Sequence, residues 1–350
     1  MMNPVDSNRR SSSLRSLWVC LLFPMLGMGC REEVSPSVAR SARKRPISET
    51  QEAVPKKKVP SAGDRLLIVH ADDAGMCRSV NRGTIEALEA GVVTSASIMV
   101  TCPAFEEFAE YAREHPEYDY GIHLTLNAEY RDYRWGPVLG ASEVPSLVDG
   151  AGYLLQSEHQ TAANARIDDV ERELRAQIDR ALDHGVPLSH LDTHMGTLFM
   201  RPDFVEVYLR LGTDYQLPVL MVRDTSFARQ LGVDERVIAR MEEYATALEQ
   251  DGFPVLDDVF MHYSSDSVDS KRRSYLNAFR NVQPGVTEII IHCGVSDHEL
   301  RSITLRHSIR DGDRQVFTDP EFLSEVQQAH VTLINWKQLM QMSSKSTVAD

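Results

Sequence analysis

From residue 64 onward the chain repeats one pattern: a short aliphatic run, a turn residue, then an amphipathic stretch of helical period. Residues 66–71, 92–100, 120–126 and 188–194 read as strands, and 217–223, 257–263, 286–292 and 331–335 continue the series. Near-continuous aliphatic runs mark strands buried on both faces, as in parallel sheets. Parallel neighbours need a crossover, and a helix supplies it with right-handed sense. Helical signals fall where crossovers are required: 80–90 stopped by Gly91, a stretch from Pro103 to about Glu114, and 168–183 ended by Gly185. About eight such units predict an α/β fold, a distorted (β/α) barrel of mostly parallel strands. Pro218 has to sit at the first turn of its strand, where no ladder donor is needed. An open doubly wound sheet is the alternative, but no Gly-x-Gly-x-x-Gly turn follows any of the runs.

The first 63 residues differ in kind. They hold eleven Lys/Arg against five Asp/Glu, although the whole chain of 350 residues carries a net charge of −14. Arg9, Arg10 and Arg15 precede the apolar run from Leu17 to Leu26, and small residues lead to Cys30. This layout matches a bacterial export signal over residues 1–30, with Cys30 a candidate for lipidation and membrane anchoring. The expected location is therefore the periplasm or a membrane-anchored lipoprotein. Residues 31–63, rich in Ser, Pro, Lys and Arg, lack the apolar groups to fold and read as a flexible tether. The barrel domain is expected over 64–342, with a disordered tail at 343–350. An acidic folded part without a basic stripe excludes nucleic acid as a partner. A homodimer is compatible with the sequence. Past the tether only Cys77, Cys102 and Cys293 remain, too few for a disulfide framework. Cys77 with Cys293 is the pair to watch for a single bridge.

The polar residues within the runs carry the chemistry. Asp72-Asp73 closes the first run and is followed by Ala74-Gly75. Two carboxylates at the carboxyl end of a strand lie where α/β folds place their sites. One Asp could instead cap the next helix, but Ser79 is already placed for that. His70, His123, His190, His194, His262 and His292 lie in or at the ends of the runs. Side chains alternate faces, so His123, then His190, Asp192 and His194, then Glu288 and His292 form polar sets converging inside a barrel. Two neutral imidazoles and a carboxylate suit a divalent ion with open positions, and a second carboxylate can take a proton from water. Adjacent strand residues face opposite ways, so Asp72 and Asp73 share a site only where the chain turns, which Gly75 permits. Tyr130, Tyr133 and Trp135 in the long 127–165 stretch either stack on a ligand ring or pack on their own loop.

Several blocks together, His70-Ala-Asp-Asp-Ala-Gly75 with Asn81, Gly91-Val-Val-Thr-Ser-Ala-Ser-Ile-Met-Val100, Gly121-Ile-His-Leu-Thr-Leu126 and His190-Leu-Asp-Thr-His194, resemble the YdjC-like carbohydrate deacetylases. That group includes chitooligosaccharide and hopanoid-associated deacetylases. Pro284-Gly-Val-Thr-Glu-Ile-Ile-Ile-His-Cys-Gly294 and Phe317-Thr-Asp-Pro320 extend the resemblance, which covers about 64 to 340. It implies an acetylated carbohydrate substrate and one divalent metal ion, Mg²⁺ or Zn²⁺. By motif, Asp73, His123 and His194 are the implied ligands, with His190 the alternative to His194. Asp72 is the implied base, and His292 the acid that protonates the leaving amine. Ala74 stands where an aromatic is usual, and Met195-Gly196 follows His194 where many members carry more histidines. Cys293 takes the place of a common proline.

Two other readings compete. His190-x-Asp192 with a later histidine has the spacing of a two-His-one-carboxylate iron site, although those ride on antiparallel jelly rolls. The other is a carbohydrate-binding lipoprotein without activity.

Overall fold

The structure, a computed structural model, describes residues 63–230, 232–264 and 267–346. The export signal with Cys30 and all but the last residue of the tether therefore lie outside the described residues, as does the end of the tail. No helix among the described residues is long and apolar enough to cross a membrane.

Seven strands form one sheet: β1 (Arg65–Ala74), β2 (Ser95–Ile98), β3 (Tyr120–Leu124), β4 (Leu188–Thr193), β5 (Asp258–Met261), β6 (Gly285–Ile291) and β7 (Thr332–Leu333). All named pairings are parallel, in the order β4-β3-β2-β1-β6-β5, with β7 added beside the start of β1. The two ends of that order are joined by residues 218–223. Leu191 of β4 donates to Pro218 O and accepts from Leu220 N, both at 2.9 Å. Arg223 N reaches Leu256 O, and Leu256 N reaches Met221 O, also at 2.9 Å. The expected strand at 217–223 is thus two isolated bridges, at Val219 and Val222, where a ladder was predicted. Pro218 fits this by offering only its carbonyl. The barrel closes, but its wall is thin between β4 and β5.

Helices follow the strands: α1 (Arg78–Ala90), α2 (Phe105–Glu114), α3 (Glu158–Asn164), α4 (Ile167–Asp183), α5 (Pro202–Tyr215), α6 (Thr225–Gln230), α7 (Glu235–Ile238), α8 (Met241–Gln250), α9 (Val268–Asn281), α10 (His298–Ile303), α11 (His307–Phe317), α12 (Pro320–Gln327) and α13 (Trp336–Ser346). Gly91 ends α1 in the left-handed region at φ 95°, its N–H returning to Leu88 O. The cap of α1 is Cys77, not Ser79. The Ser79 backbone N–H and hydroxyl both reach Glu299, which ties α1 to the segment at α10. α13 continues to Ser346, beyond the expected domain end at 342.

Period-two alternation sorts β1 between two environments. Leu67, Val69 and Ala71 pack in the large core under the helices. Leu66 and Ile68 face inward, into a smaller cluster with Val222, Val259, Ile290 and Trp336. His70 and Asp72 continue that inward face, so β1 changes from apolar to polar as it nears its carboxyl end. Trp336 of α13 plugs the other end, stacking on His190 with ring centroids 5.1 Å apart.

Candidate metal centre and active site

The backbone turns at Asp73. Between Ala71 and Ala74 the β1–β2 register slips by one residue, a bulge, and Asp73 takes φ 68°. Aspartate tolerates this conformation better than most residues, and it occurs where a site needs a side chain re-aimed. Gly75 continues the turn at φ 89°, and its N–H donates to Asn81 Oδ1 at 2.7 Å. Both carboxylates therefore enter one cavity.

Asp73 divides its oxygens. Oδ2 accepts from the buried Arg310 guanidinium at 2.6 Å, whereas Oδ1 is buried and makes no hydrogen bond. His123 Nε2 and His194 Nδ1 each stand 3.3 Å from that Oδ1. Each imidazole spends its other nitrogen on a carboxylate. His123 Nδ1–H donates to Asp192 at 2.7 Å, and His194 Nε2–H donates to Glu129 at 3.0 Å. This fixes both tautomers, leaving Nε2 of one and Nδ1 of the other with a lone pair toward Asp73 Oδ1 when the rings are neutral. Two donors bound at about 2.0–2.1 Å in a tetrahedral shell lie ~3.3 Å apart, so the spacing and the orphaned oxygen fit a divalent ion. Two overlapping groups could also hold a metal, His70/His190/Asp192 and Asp72/His123/Asp192. His70 and His190 do not line the cavity, and Asp192 spends its oxygens on His123 and His70.

Asp72 and His292 stand beside these donors. His70 Nε2 lies 3.3 Å from Asp72 Oδ1, while Asp72 Oδ2 lies 3.6 Å from His292 Nε2. Burial, opposed by His123, pushes the Asp72 carboxyl up to about 7. Burial also raises the carboxyl of Asp73, but Arg310 and the two histidines overcome it and hold the group well below the usual range. Burial, with Arg310 and His123 adding to it, pushes His292 down to about 3. His194 goes the other way: burial opposes its charge, yet Glu129 and Asp73 lift it to about 9. A carboxyl titrating near neutrality, an anionic carboxylate and a neutral imidazole thus sit in one cavity, an arrangement that suits hydrolysis.

The model of the YdjC-like protein family matches residues 66–328, the whole stretch that builds this cavity. The chain belongs to the YdjC-like family. A protein of Geobacillus stearothermophilus named carbohydrate deacetylase is 30% identical over 279 residues, covering 79% of this chain and 99% of the relative. One of the same name from Thermoanaerobacter pseudethanolicus is 27% identical over 272 residues, covering 78% and 98%. The crystal structure of a candidate cellobiose-phosphate cleavage protein from Enterococcus faecalis V583 superposes with a TM-score of 0.65 at 26% identity, covering 79% of this chain and 99% of that one.

In this YdjC-like barrel the other expected residues divide. His190 packs between Gly121 and Trp336, hydrogen-bonded to Ser189, away from Asp73. A Cβ at residue 121 would run into its ring, which explains the glycine before His123. The geometry therefore groups His194, and not His190, with Asp73 and His123. His262 lies outside the site, near Ser274 and Tyr275 of α9. Glu288 bonds Trp336 Nε1 at 2.9 Å, consistent with its distance from His292. Cys77, Cys102 and Cys293 are all free and buried, so the Cys77–Cys293 bridge does not form. Of the three aromatics, Trp135 is buried against Tyr130 and Tyr133, and Tyr133 donates to Met76 O; Tyr130 lines the cavity. The parallel fold also removes the jelly-roll setting of the iron reading. Sequence reasoning missed Arg310, Glu129 and the bridging role of Asp192. Arg310 could have been found, because it and Asp313 interrupt the apolar stripe of α11 one turn apart. Glu129, in an irregular loop, carried no such signal.

Proposed function

We propose that this chain is a metal-dependent hydrolase that removes acetyl groups from N-acetylated sugars or oligosaccharides. The observation that carries the reading is the unbonded Asp73 Oδ1 facing two tautomer-fixed imidazoles, with Asp72 and His292 next to the set. The family and the relatives named carbohydrate deacetylase support the substrate class. Asp73, His123 and His194 would hold the divalent ion, which would supply Lewis acidity toward the acetyl carbonyl and toward the attacking water.

The chain's own residues handle the protons. Asp72 takes one from the water as its oxygen adds to the acetyl carbon. His292 is neutral at rest and must be charged before it can act as an acid. Asp72 Oδ2, at 3.6 Å, is the neighbour that supplies the proton. His292 then gives it to the departing nitrogen as the C–N bond breaks, leaving a free amine and acetic acid, whose remaining proton passes to solvent. Arg310 holds Asp73 anionic, and Glu129 and Asp192 keep the imidazoles oriented.

The signal-like residues 9–30 support an exported location, with anchoring through Cys30. The test of the catalytic reading is acetate release from a panel of N-acetylated oligosaccharides, with chelated protein given back single divalent metals. Release that needs both the ion and Asp72 is expected. A metal-loaded protein inert across the panel would instead favour a binding role.

A further inference from the structure

The cavity that holds the donors has a volume of about 470 Å³, far more than an acetyl group requires, and β6 gives its depth. His292 follows the strand end, Ile290 is one pleat earlier on the inward face, and Glu288 one pleat earlier again. At ~3.3 Å per residue, Ile290 lies ~7 Å and the level of Glu288 ~13 Å below His292. The β5–β6 register sets Met261 beside Ile290 and Val259 beside Glu288. Met261, Val259 and Ile290 all line the cavity. It therefore descends the β5 side of the barrel well below the catalytic layer. Leu220 and Val222, from the segment that makes single bridges in place of a ladder, form the adjoining wall, and Met241 of α8 covers it. Glu288, the inward carboxylate at that depth, is turned to Trp336.

We propose that this apolar arm receives the acyl chain of the substrate, so that the chain hydrolyses N-acyl sugars with acyl groups longer than acetyl. The proposal rests on the hydrolase reading above. A scissile amide has a hydroxyl-rich side and an acyl side. Asp224 and Arg306, both exposed, also line the cavity, and there a sugar finds partners and water. Sugar hydroxyls placed against Val259 and Ile290 would be left without partners. Water adds to the acyl carbon, the C–N bond breaks, the nitrogen takes its proton from His292, and a fatty acid and an amino sugar leave.

The test is kcat/KM for amine release from N-acetyl-, N-butanoyl-, N-hexanoyl- and N-octanoylglucosamine, and from the octyl glycoside of N-acetylglucosamine. The full chain is used with a divalent ion supplied. Burial of each added methylene predicts a gain of roughly fourfold from acetyl toward hexanoyl. Val222→Phe and Met241→Trp, which narrow the arm from two sides, should each lower the ratio of hexanoyl to acetyl cleavage. Cleavage of the acetyl sugar with no gain from longer acyl chains overturns this proposal and leaves the deacetylase reading standing. A gain confined to the octyl glycoside also overturns it, placing the apolar group on the sugar's other side. If nothing is cleaved, the hydrolase reading falls, and calorimetric binding of the same series decides the arm. Affinity that rises with acyl length supports it, and affinity indifferent to length overturns it.

Discussion

Asp72 and Asp73 are neighbours in the chain, yet their surroundings give them opposite properties. The turn at Asp73 brings both into one cavity, Arg310 keeps Asp73 charged, and burial leaves Asp72 titrating near neutrality. Asp72→Asn and His292→Ala should each cut turnover by ~10²–10⁴, with metal content by elemental analysis unchanged. Glu129→Gln removes the charged partner of His194 and should weaken metal affinity by about 10–100-fold in a competition titration. Metal binding also has a proton signature. His194, lifted to about 9 by Glu129 and Asp73 against its burial, carries a proton at neutral pH in the metal-free chain. An ion must displace it, so affinity should rise as pH climbs toward 9 and fall as pH drops. Calorimetry in buffers of different ionisation enthalpy should show net proton release. That Asp73, His123 and His194 come together could be read from the sequence, because each stands at or near a strand end in a recognisable block. The partners that fix their tautomers were less so, since Glu129 is brought over by a loop without regular period.

At the scale of elements, α11 does what no motif announced. Its buried face delivers Arg310 to Asp73 and Asp313 to the His292 backbone N–H, to Lys271 Nζ and to the Tyr275 hydroxyl. Breaking a buried ion pair costs about 3–5 kcal/mol because one charge is left unpaired. Arg310→Met should therefore lower the stability of the metal-free chain by that order in a denaturant titration, and a bound divalent ion should recover part of it. The strands themselves were legible: aliphatic runs and glycine stops marked β1 to β4 and β6 within a few residues. Residues 217–223 were harder to read. Their apolar pattern is that of a strand, but Pro218 contributes no donor, and the segment pairs first with β4 and then with residue 256. Pattern shows which residues face inward, but not how many neighbours a segment bridges. The same thin wall opens the apolar arm.

For the whole molecule, the alternation of runs was enough to predict a closed parallel barrel with its site at the carboxyl ends of the strands. The eight or so strand positions are answered, among the described residues, by seven named strands and one bridging segment: six strands and that segment make the closed path, and β7 pairs β1 beside it. Removal of residues 1–63, which lack the apolar periodicity of a fold, should leave a soluble chain with a cooperative thermal transition; aggregation or loss of cooperativity would refute the tether. One ion is joined to one reaction in this proposed mechanism, and the decisive measurement is a metal titration of activity. Chelated protein is titrated with zinc, and separately with manganese, while acetate release from an N-acetylated oligosaccharide is followed. No release before metal, a linear rise and a break at one equivalent are expected. Release by the chelated protein, or a break at two equivalents, would contradict it.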